Sequence, residues 1–98
     1  MGTIKLRKWD VVDHLKTEED MALYFEAAME EAGDDANYIA KVLGDIARAR
    51  GMTQLAKDAG LGRESLYKAL APGSHPRFET IAAVLRALKV RLSVTPIA

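Results

Sequence analysis

Arg63, Glu64, Tyr67 and Lys68 bring a guanidinium, a carboxylate, a phenol and an ammonium within six residues. In a helix these positions share one side of the axis, opposite Leu66, Ala69 and Leu70. With the leucines turned inward, the polar four point out. First-turn groups of this kind can read base edges, while the later ones hold phosphate oxygens. Such a helix needs a scaffold, and the residues before it supply one. The stretch Met52 to Leu70, MTQLAKDAGLGRESLYKAL, reads as two short helices around a tight turn. Thr53 is the expected N-cap of the first, its hydroxyl taking a free first-turn amide. Gly60 ends that helix in the left-handed conformation, Leu61 plugs the corner, and Gly62 opens the second helix, Arg63 to Ala71. Leu55, small Ala56 and Ala59 form the inner face of the first, which allows a close crossing. The pattern is that of a helix-turn-helix, whose second helix enters the DNA major groove. The plainer alternative is a helical hairpin inside an all-helical core.

Charge favours the first reading. The 98 residues have a formal net charge of zero, but the charge is segregated. Residues 1–16 hold four bases and two acids, residues 17–46 nine acids and one base, and residues 47–98 nine bases and three acids. A basic half joined to an acidic half is the mark of a nucleic-acid face coupled to something else. Acidic residues at helix starts account for part of the excess, notably Glu18, Glu19 and Asp20. A hydrophobic content of 49% excludes a disordered chain. Neither a membrane-length apolar run nor a signal-peptide pattern is present. With no cysteine and only His14 and His75, no disulfide, metal or cofactor is expected, and a cytoplasmic compartment is.

One domain over 1–98 is expected, mainly α, with five helices and short N- and C-terminal β-strands. It divides into an N-terminal arm (1–16), an acidic helical pair (17–51), the helix-turn-helix (52–71) and a last helix with its strand (72–98). In TIKLRKW, Ile4 and Leu6 alternate with Lys5 and Arg7 before Trp9, which suggests a half-buried strand. Its partner would be the alternation Val90, Leu92, Val94, within one chain or between two; Trp9, Val11 and Val12 would tuck onto the helical body. Thr17 with Asp20 opens the first long helix, Met21, Tyr24, Phe25, Ala28 and Ala32 line its inner face, and Gly33 ends it. Asp34 or Asp35 caps the second, with Ile39, Val42, Leu43 and Ile46 inward. Arg48 and Arg50 occupy its last turn, where they complement the helix C-terminus or reach phosphates. In the loop PGSHP and its flank, Ser74 and Arg77 are candidate phosphate partners unless the loop is only a solvated connector. Phe78, Ile81, Leu85 and Leu88 form the inward stripe of the last helix.

Catalysis is not expected. Asp34–Asp35 and Glu18–Glu19 are adjacent pairs whose side chains diverge around a helix, and Ser65 has no histidine at helical spacing.

From Thr17 to Pro96 the chain resembles the addiction-module antidote family, antitoxins with an Xre-like, lambda-repressor-like helix-turn-helix. WDVVDHL, TEEDMALYFEAAMEE, LGDIARARGMTQLAKDAGLGRESLYKAL and FETIAAVLRALKVRLSVTP carry the resemblance. It departs at Gly62, where such domains often have a serine N-cap. The resemblance implies a type II antitoxin that neutralises a RelE/ParE-like toxin and represses the shared operon as a homodimer on a palindromic operator. It assigns Arg63, Glu64, Ser65, Tyr67 and Lys68 to the DNA-reading face and Thr53 and Gln54 to phosphates. Val90, Leu92 and Val94 are the expected dimer interface. The toxin would meet the acidic segment 17–46 or the arm 1–16. The alternatives are a stand-alone Xre-type regulator without a toxin, and a protein-interaction module that has lost DNA binding.

Overall fold

The structure, a computed structural model, describes residues 10–97. A 3-10 turn, Val11–His14, leads into five helices: α1 Glu18–Ala32, α2 Ala36–Arg50, α3 Met52–Ala59, α4 Arg63–Ala69 and α5 Phe78–Ala87. The second helix is central, packing on the 3-10 turn, α1 and α3, while α3 also meets α4 and α5.

Local chemistry sets most boundaries. At the start of α1 the Asp20 amide donates to Thr17 Oγ1 at 3.0 Å, and the Thr17 amide donates to Asp20 Oδ2 at 3.1 Å. This is the expected capping box, and it satisfies donors that the helix leaves unpaired. The Lys16 amide also donates to Asp20 Oδ2, and it is the leading cause that holds this carboxyl below its ordinary range. Asp35, rather than Asp34, caps α2 by accepting from the amides of Asn37 and Tyr38, both at 3.1 Å.

The expected cap at Thr53 is not formed. The helix begins two residues earlier than expected, at Met52 rather than Gln54, and Gly51 is its N-cap. Gly51 donates to the Ala47 carbonyl at 2.8 Å, ending α2, and accepts from the Leu55 amide at 2.9 Å, starting α3. With φ at 99° it turns the chain without a linker, so no place remains for a cap at Thr53. Gly60 does take the left-handed conformation, with φ at 72°. The Leu61 amide then bonds to the Ala56 carbonyl at 2.9 Å and closes α3. Gly62 N-caps α4 without a side-chain bond. That helix stops at Ala69, two residues before its expected end at Ala71. Pro72 disfavours helical backbone at the residue before it.

The core runs through all five helices and includes Phe25, Leu43, Ile46, Leu55, Leu66, Val84 and Leu88. Burying each large apolar side chain stabilises the fold by about 1.5–3 kcal/mol. Val11 packs against this core as expected. Phe78 does not, being 67% exposed. As the first residue of α5 it has no preceding turn to lie upon, and it lines a surface cleft with Ala82 and Leu85 instead of entering the core.

The C-terminal strand is also corrected. No strand occurs among the described residues, and 90–97 follow α5 without ladder pairing. Lys89 turns the chain with φ at 63°, and the Val90 amide bonds back to the Leu85 carbonyl at 2.9 Å. Val90 is half-buried against the core, but Leu92 and Val94 are exposed. Alternation prescribes two faces, and a strand forms only where a partner edge supplies hydrogen bonds. The expected strand over TIKLRKW, with Trp9, lies outside the described residues.

Candidate nucleic-acid interface

The helix α4 is held from beneath. Leu66 is fully buried and Leu70 nearly so, which leaves Arg63, Glu64, Ser65, Tyr67 and Lys68 on the exposed side. Among the described residues, none of these five side chains has a hydrogen-bond or ion-pair partner. Their donors and acceptors therefore meet water. Tyr67 stands 60% exposed despite its size.

The flanking candidates are arranged less uniformly. Thr53 is exposed in the first turn of α3. Gln54 donates from Nε2 to Asp58 Oδ1 at 2.8 Å, which leaves its carbonyl and second N–H for other contacts. Ser74 donates its hydroxyl proton to the Lys68 carbonyl at 2.7 Å. That proton ties the loop to the end of α4, so Ser74 Oγ has none left for a phosphate. Asn37 reinforces the tie, its Oδ1 accepting from the Gly73 amide at 2.9 Å. Arg77 is exposed at the start of α5. The structure thus brings the five residues of α4 together on one face, with Arg77 beyond the loop.

Two arginines at the end of α2 have separate environments. Arg50 donates to Glu18 at 3.1 Å and to Asp58 at 2.9 Å, joining α2 to α1 and α3. Arg48 donates to Asp45 Oδ1 at 2.8 Å. Asp45 is only 5% exposed and accepts two further bonds, from the Tyr24 hydroxyl at 2.7 Å and Lys41 Nζ at 3.3 Å. Burial pushes its carboxyl up, but the bonds from Tyr24 and Arg48 and the Lys41 charge outweigh that and hold it below the ordinary range. Burial, with the Asp45 bond and charge, pushes the Tyr24 phenol upward. Sequence reasoning missed this hub. Its signal was a carboxylate within the apolar stripe Val42, Leu43, Ile46, with Lys41 four residues before it and Arg48 three after.

A second surface lies on the opposite charge. Leu23 and Met29 are exposed on α1 among Glu19, Glu26 and Glu30, all exposed as well. No helix among the described residues is long and apolar enough to cross a membrane.

Comparison with known proteins covers most of the chain. A family model described as probable addiction module antidote protein matches residues 5–96. A protein of Haemophilus influenzae, itself described as uncharacterized, is 45% identical over 92 residues, covering 94% of this chain and 93% of its own. No solved structure matches. The family model's match over nearly the whole chain shows that the chain belongs to the addiction-module antidote family.

Proposed function

We propose that the protein is a DNA-binding antitoxin that neutralises a RelE/ParE-like toxin and represses its own operon. The observation that carries the DNA-binding part is the unpartnered polar face of α4, set on buried Leu66 and Leu70. Arg63 and Glu64, in the first turn, read base edges, and Tyr67 and Lys68 hold phosphates. Ser65, Thr53, Gln54 and Arg77 contribute around them, while Ser74 fixes the loop that carries Arg77.

A homodimer on a palindromic operator places two such faces one helical turn apart. Support for the dimer comes from the C-terminal end. Phe78, Leu92, Val94 and Ile97 are all exposed there, and Phe78, Leu85 and Leu92 line a cleft of about 370 Å3. Pairing of the segments that carry Val90, Leu92 and Val94 would cover apolar surface that single chains seldom expose. Acidic α1, with Leu23 and Met29 at its surface, suits a basic toxin by complementary charge.

The test is fluorescence anisotropy with the DNA upstream of the protein's own gene, against scrambled duplex, at two salt concentrations. Preference for the upstream DNA at the higher salt supports a sequence-reading α4. Equal or absent binding to both refutes it. Co-expression with the neighbouring gene product, followed by co-purification, tests the toxin; failure with α1 intact leaves a regulator without that partner.

A further inference from the structure

Beside α4 lies a cleft of about 640 Å3 between Lys41, Asp45 and Arg48 of α2, Tyr67 of α4 and Leu70 just after it. Lys41 and Arg48 are both bonded to Asp45, yet their side chains are 67% and 55% exposed. An ammonium has three N–H donors and a guanidinium five, so one bond to Asp45 leaves most of each group open to solvent. Asp35, which caps α2, also lines the cleft, so its cations and carboxylates are equal in number; around Asp45 itself, two cations meet one carboxylate. Tyr67 belongs both to the cleft and to the exposed face of α4, so Lys41 and Arg48 stand beside that face.

A helix with its side chains is about 10–12 Å across, and the major groove is about 12 Å wide. A helix seated in the groove therefore has a phosphodiester strand along each flank. We infer that Lys41 and Arg48 are phosphate contacts that extend the DNA footprint from α4 onto α2, with Asp45 as the positioning residue for both. The inference rests on the DNA-binding reading of α4. It also separates the two arginines at the end of α2. Arg50 is only 20% exposed and divides its donors between Glu18 and Asp58, whereas Arg48 stays half open beside the reading face.

The experiment uses the full chain, a mixed-sequence duplex of about 30 base pairs and the DNA upstream of its gene. Binding is followed by anisotropy from about 50 to 200 mM salt, a range that resolves counterion release. Lys41→Gln and Arg48→Gln should each lower the slope of log K against log salt by about 0.9. Each should weaken binding to both duplexes by the same factor, about tenfold near 50 mM salt. Lys41→Arg and Arg48→Lys, which keep the charge and the bond to Asp45, should restore the slope. If the wild type binds and the glutamine variants keep its slope, the inference falls while the DNA reading stands. A loss confined to the upstream DNA would also overturn the phosphate role. Failure of the wild type to bind either duplex at the lowest salt would remove the DNA reading, and this inference with it.

Discussion

Asp45 offers the sharpest test of how the helical body is held. Its carboxylate accepts from Tyr24, Arg48 and Lys41 at 2.7, 2.8 and 3.3 Å. A hydrogen bond to a charged group contributes about 1.5–3 kcal/mol, and ion pairs with exposed partners contribute only about 0.2–1 kcal/mol each. Asp45→Asn keeps an acceptor for the Tyr24 hydroxyl but removes the charge, and Lys41 and Arg48 remain hydrated at the surface. The expected cost at pH 7 is therefore about 1–2 kcal/mol, a fall in Tm of roughly 4–16 °C for a domain of this size. Urea unfolding of both proteins across pH separates the charge from the shape. The carboxyl of Asp45 is held below its usual value of 3.8 in the folded state. Its contribution is therefore fully present above that value and is lost as pH falls through the lower folded value. Protonated aspartic acid resembles asparagine, so the gap between the two proteins should close on acidification. A gap of constant size down to the acid limit would refute the electrostatic reasoning and assign the cost to altered packing.

Other substitutions test other parts of the argument. Thr17→Ala removes one half of the capping box and should cost about 1 kcal/mol in urea unfolding, with unchanged helix content. Lys89→Gly relieves left-handed backbone at φ 63° and should raise stability by about 0.5–1 kcal/mol; a loss would mean that the lysine side chain offsets the strain. Arg63→Ala should cost about 1–3 kcal/mol on the operator and far less on random duplex if it reads a base edge. Lys68→Ala should weaken binding to every duplex alike and flatten the salt slope by about one unit.

The elements most legible in the sequence were those with a local chemical cause. Thr17 and Asp20 announce a capping box three residues apart, Gly60 marks a left-handed helix end, and the stripe Ile39, Val42, Leu43, Ile46 marks a buried face. Each depends on neighbours within one turn. What escaped depends on geometry that neighbours do not encode. Gly51 serves two helices at once, so Thr53 loses the cap that its chemistry suits. Phe78 fits an apolar stripe by spacing, yet its place at a helix end leaves it outside. Val90, Leu92 and Val94 alternate as a strand would, but alternation cannot name a partner. On the candidate interface, Leu66 and Leu70 fixed which side of α4 turns out, and that followed from helical period alone. The engagement of Ser74 with the Lys68 carbonyl did not, because loop closure brought the two together.

The direct joint at Gly51 bears on motion. No spacer separates α2 from α3, and Arg50 beside the joint is anchored to Glu18 and Asp58. A hinge requires a few residues able to absorb large dihedral changes, and here there is one, with hydrogen bonds on both its amide and its carbonyl. Between α2 and α3 there is therefore no linker to act as a hinge. Any load applied to α1 by a binding partner passes to α3 through the Arg50 bridges and this direct joint, not through a flexible spacer.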